Sequence, residues 1–88
     1  MTTVICKVDN RWYWGLESAT LTFTSPQGGH VRIDKCKLSK LDDQQRSFVW
    51  ELHERSDNSD AVELTIDEMK RLVEIGNIAG SVYIKKSK

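Results

Sequence analysis

The chain has 88 residues, 39% of them apolar and 30% charged, with one proline, five glycines and two cysteines. A chain of this length buries only about 60–65% of the surface that its unfolded form exposes; that suits a single domain over residues 1–88 and excludes a deep, enclosed catalytic cavity. Thirteen Lys and Arg balance thirteen Asp and Glu, so no whole-molecule field holds nucleic acid, and a charged partner must be met by a local patch.

Val4, Cys6 and Val8 alternate with Ile5 and Lys7, which predicts a first strand, and Asp9-Asn10 reads as a turn into the aromatic run Arg11-Trp12-Tyr13-Trp14. Residues 19–24 alternate strictly, Ala19, Leu21 and Phe23 against three threonines, as a half-buried strand does. Ser25-Pro26-Gln27-Gly28-Gly29 supplies a turn, after which residues 31–38 are expected to form the second arm of a hairpin, with a bulge or an end near Cys36. Residues 41–45 are polar and turn-like. Residues 47–54 then read as a strand with Phe48, Trp50 and Leu52 inward and Val49, Glu51 and His53 outward.

Asp57-Asn58-Ser59-Asp60 is a dense turn cluster leading through a further hairpin into residues 61–64. Thr65-Ile66-Asp67-Glu68 has the form of a capping box, and Ile66, Met69, Leu72 and Val73 make an apolar stripe behind it. This predicts one α-helix near residues 66–75, stopped by Gly76-Asn77. Residues 81–85 read as a short strand entering a basic tail. The fold class is therefore α+β: a small antiparallel sheet of about five to seven strands with one helix packed on or beside it. In element order alone, residues 31–76 resemble the small sheet-plus-helix single-strand binders of the transcriptional-coactivator type. The strand expected after the helix departs from that pattern, and no residue or function is carried over.

Two cysteines without CxxC spacing read as reduced thiols. No basic, apolar leader opens the sequence, and no apolar run approaches the roughly 18 residues of a membrane span. The expectation is a cytoplasmic protein away from membranes. Cys6, Cys36, His30 and His53 match no zinc spacing. Lys35 and Lys37 flank Cys36 but point to the opposite face of a strand, and no phosphate-cradling or nucleophile-elbow motif occurs. No cofactor, no metal and no enzymatic activity are expected.

Charge is segregated. Residues 51–68 carry Glu51, Glu54, Asp57, Asp60, Glu63, Asp67 and Glu68 against Arg55, a net of −6. Residues 69–88 carry Lys70, Arg71, Lys85, Lys86 and Lys88 against Glu74, a net of +4, and residues 31–50 a net of +2. Such segments keep a small domain soluble, and they also steer association with a complementary protein. The aromatic run has two readings, tryptophans packed in the core or an aromatic anchor beside Arg11, the residue types enriched at interface hot spots.

The function expected is a protein-binding module that acts as adaptor, regulator or inhibitor by occluding a surface. Its binding residues are Arg11, Trp12, Tyr13 and Trp14, the basic Arg32, Lys35 and Lys37, and the acidic Asp57, Asp60 and Glu63. The alternative is a single-stranded nucleic-acid binder that uses the basic strand and the aromatic run. The N-terminal and C-terminal strands are each expected at a sheet edge, where homodimers form by strand pairing.

Overall fold

The computed structural model describes residues 3–12, 19–57 and 59–84. In chain order these form β1 (Thr3–Asn10), β2 (Thr20–Thr24), β3 (His30–Asp34), a 3-10 helix (Lys35–Lys40), α1 (Asp43–Arg55), β4 (Ala61–Thr65), α2 (Ile66–Ala79) and β5 (Gly80–Tyr83). The five strands make one antiparallel sheet in the order β4-β1-β2-β3-β5.

The alternation read from the sequence fixes which face is buried. Cys6, Leu21, Phe23, Val31, Ile33, Val62 and Leu64 all point to one side, and neighbours across the sheet meet in register, Cys6 with Val62, Phe23 with Val31, Leu21 with Ile33. Both helices join that core: α1 through Phe48, Val49 and Leu52, α2 through Leu72, Ile75 and Ala79. Arg71 of α2 lies over the Phe48 ring, and Arg55 of α1 meets Glu68 of α2 at 3.0 Å. No helix among the described residues covers the opposite face, which carries Ile5, Lys7 and Arg32. The hairpin between β2 and β3 closes as expected. The Gly28 N–H donates to the Ser25 carbonyl at 3.0 Å, and Gly28 takes φ 99, the left-handed region that glycine enters freely.

Several elements differ from the sequence reading. Asp9 and Asn10 do not turn; they pair with Thr22 and Leu21 as the last residues of β1. The strand expected over 31–38 stops at Asp34, whose carboxylate gathers Arg32 at 3.1 Å and Lys37, three residues on, at 3.5 Å as the chain winds into the 3-10 helix.

The larger correction is α1. Asp42 and Gln45 form a second capping box: the Gln45 N–H donates to the Asp42 carboxylate at 2.8 Å, and the Gln45 side-chain oxygen accepts from the Asp42 N–H at 3.1 Å. Phe48, Val49 and Leu52 are then one helical stripe. The same letters read with period two place Trp50 inward and Val49 outward, whereas Val49 is fully buried and Trp50 is 42% exposed. The hairpin on which the coactivator-type element order depended is absent, since residues 56–60 join a helix to a strand.

Gly76-Asn77 does not stop α2, which runs on to Ala79. Glycine stands there because the helix sits hard on the sheet: a Cβ at Gly76 would lie 2.5 Å from Val31 Cγ1 and 2.8 Å from Val82 Cγ2. One at Gly80 would overlap the Arg32 carbonyl oxygen at 1.7 Å. Finally, the C-terminal strand β5 is at an edge as expected, but the N-terminal strand is not, because β4 covers it.

These contacts set two expectations. Gly76→Ala gains helix propensity of about 1 kcal/mol but overfills the gap above two stiff valines, for a net loss of about 1 kcal/mol in urea unfolding. Gly80→Ala, which meets backbone, loses about 3 kcal/mol or more, and equal losses would refute this account. The Glu68 carboxyl is held below the ordinary glutamate range, first by the Thr65 backbone N–H at 2.9 Å and then by Arg55. A depressed folded-state pKa adds stability above the ordinary range that is lost as pH falls through it. Glu68→Gln should therefore lower the urea midpoint near pH 7, and its deficit against the parent should shrink as pH falls through the folded-state titration of Glu68.

Candidate binding surface

Among the described residues, the binding residues predicted from the sequence are not brought to one place. Arg11 pairs with Asp9 at 3.0 Å on the exposed end of β1. Trp12, 3% exposed, belongs to the core and has no surface to offer a partner; it packs edge-on against Trp50 at 5.0 Å and near His53 at 5.3 Å. Its ring N–H is buried without a hydrogen-bond partner among the described residues. Tyr13 and Trp14 lie outside the described residues.

What fixes Trp12 is Asn10, a buried amide that ties the end of β1 to the end of α1. Its Nδ2 reaches His53 Nδ1 at 2.8 Å, Ser56 Oγ at 3.1 Å and the His53 carbonyl at 3.3 Å, while its Oδ1 accepts from the Trp12 N–H at 3.2 Å. A buried polar side chain satisfied on every side pins geometry rather than binding a ligand.

Arg32 and Lys37 both spend their charge on Asp34, and Lys35 is half-buried on the 3-10 helix. Asp57 and Asp60 stay exposed and, with Asp9, line a polar hollow where α1 leads into β4. Glu63 stands instead on the open face of the sheet, where it accepts from Thr3 Oγ1 at 2.7 Å. No three His, Cys, Asp or Glu side chains among the described residues lie together in a way that could hold a metal ion. No helix among them is long and apolar enough to cross a membrane.

A different surface stands out. Between the first turns of α2 and the β5 end of the sheet lies a cleft of about 270 Å³. Val4 and Phe23 come to it from the sheet, Met69 and Val73 from α2, and Val82 and Ile84 from β5 and the residue beyond it. Its lining holds no Asp, Glu, Lys or Arg. Its rim exposes Ile66 by 41%, Tyr83 by 53% and Ile84 by 68%, and His30 stacks on Tyr83 with ring centres 5.4 Å apart.

The sequence held a signal for this cleft that went unused. Ile66, Met69 and Val73 were read as one stripe with Leu72, but α2 buries Leu72, Ile75, Gly76 and Ala79 and leaves the other three only partly covered. The helix is apolar over a wider arc than the sheet can cover.

The two thiols sit in opposite settings. Cys6 is fully buried with its Sγ 3.5 Å from Met69 Sδ, and burial pushes the thiol up from its ordinary range; Cys36 is exposed. Native protein treated with iodoacetamide near pH 8 should be labelled at Cys36 alone, with Cys6 reacting only after unfolding; fast native labelling of Cys6 would contradict this packing. Comparison with known proteins finds no matching family model, no similar curated protein and no similar solved structure.

Proposed function

We propose that the chain is a non-enzymatic protein-binding module, an adaptor, regulator or inhibitor that works by occupying a partner's surface, and that it docks through the cleft between α2 and β5. The observation that carries this reading is the gathering of Ile66, Tyr83 and Ile84, each more than two-fifths exposed, around one uncharged concavity. Contiguous exposed apolar surface rimmed by polar groups is what protein interfaces are built from.

The charged groups favour the same reading over nucleic acid. A groove that tracks phosphates needs cations free to face them. Here Arg11 is engaged by Asp9, and Arg32 and Lys37 by Asp34.

The test is affinity capture from lysate of the cells that make the protein, with and without nuclease, at about 0.15 M and about 0.5 M salt, a range over which exposed charge pairs are strongly screened. The parent should retain a stoichiometric protein through nuclease and high salt. A folded Ile66→Asp/Ile84→Asp variant, checked by circular dichroism, should lose it. Retention by that variant refutes the cleft as the docking site. Recovery that disappears with nuclease transfers the function to nucleic acid, with Arg32, Lys35 and Lys37 as the first residues to examine.

A further inference from the structure

Met69 brings an oxidisable sulfur to the cleft. It stands on α2 three residues after Ile66 and four before Val73, so the three share one face of the helix and line the same uncharged space. Met69 is partly exposed, packed against the core but not enclosed by it. The Cys6 thiol, itself fully buried, donates to Met69 Sδ at 3.5 Å.

The two sulfurs meet an oxidant differently. A thiol reacts as its thiolate, and burial pushes the Cys6 thiol up and away from that form. A thioether needs no deprotonation, because a sulfur lone pair attacks a peroxide oxygen directly. Met69 Sδ has two lone pairs, and the Cys6 S–H engages one of them. The other is left for oxygen transfer from the side of the cleft.

Resting on the cleft as the docking site, we propose that Met69 is oxidised reversibly by hydroperoxides and that its sulfoxide switches docking off. In the step with hydrogen peroxide the O–O bond breaks, one oxygen bonds to Sδ and the other leaves as water. Sulfur gives up two electrons and the peroxide accepts them. A dithiol reductant reverses the change: it becomes a disulfide, and the oxygen leaves as water. The sulfoxide is polar and chiral where the thioether was apolar and flexible. An apolar side chain seated on it would strand its oxygen without a hydrogen bond.

The experiment treats the folded Cys36→Ser chain, freed of its exposed thiol, with hydrogen peroxide and follows oxidation by peptide mass spectrometry. Met69 should gain one oxygen at a rate within about tenfold of its rate in urea, while Cys6 stays unmodified. One sulfoxide epimer should dominate by about fivefold or more, because Cys6 engages one lone pair. Of the two epimer-specific methionine sulfoxide reductases, one should then repair most of the digested Met69 peptide, whereas protein oxidised in urea should need both. The oxidised chain, still folded by circular dichroism, should bind the captured partner about tenfold or more weakly, and reductase with dithiothreitol should restore binding. Met69→Leu should capture equally before and after peroxide. Native oxidation slower than expected, an equal mixture of epimers, unfolding of the oxidised chain, or a Met69→Leu variant that responds to peroxide would each overturn the proposal. If the oxidised parent keeps its partner while the Ile66→Asp/Ile84→Asp variant loses it, the switch falls and the docking reading stands. If that variant keeps its partner, both fall.

Discussion

The helical side of the sheet depends on how closely α2 approaches β3 and β5, and two missing side chains set that distance. With hydrogen at Gly76 the helix backbone rests against Val31 and Val82; with hydrogen at Gly80 the chain leaves the helix and enters β5 directly against the Arg32 carbonyl. No loop intervenes between Ala79 and Gly80. The angle of α2 over the sheet and the position of the edge strand are therefore one geometric choice. The cleft follows from it: a helix pressed down at its C-terminal half leaves space near its first turns, where Ile66, Met69 and Val73 lie over Val4 and Phe23.

The N-terminal end of α2 is fixed by different means. Thr65 is both the last residue of β4 and the cap of the helix, so strand and helix share a residue, and Glu68 closes the box from the other side while holding Arg55 of α1. One carboxylate thus serves a cap and an interhelix ion pair. Asn10 ties the same C-terminal end of α1 to β1, its side-chain amide reaching His53 and Ser56.

Much of the sheet was legible because period two is unambiguous where small polar and large apolar residues alternate, as in Ala19–Thr24, and because Thr65-x-x-Glu68 carries its own chemistry. Phe48-Val49-Trp50-Glu51-Leu52 was not, since Phe48 and Leu52 satisfy both periods and only the cap at Asp42 decides between them. Gly76 misled for a related reason. Glycine near a helix end signals either a stop or a close approach, and the difference lies in Val31, forty-five residues earlier, which local sequence does not reveal. The binding surface was legible only in outline. Trp12 carried the strongest composition signal and turned out to be core, because the last inward position of β1 and the side of α1 enclose it. Ile84 and Tyr83 gave little signal, because exposure at an edge strand is decided by strand order.

The pairing of β1 with β4 also has a consequence for how the chain reaches its native state. The meander β1-β2-β3 closes through short connections, yet the other edge of β1 is completed by residues far along the chain, with Thr3 bonded to Glu63 across a separation of 60 residues. Closing that distance costs chain entropy which local hairpins avoid, and contacts of this range slow the search. During synthesis β1 therefore keeps one edge unpaired until β4 has left the ribosome.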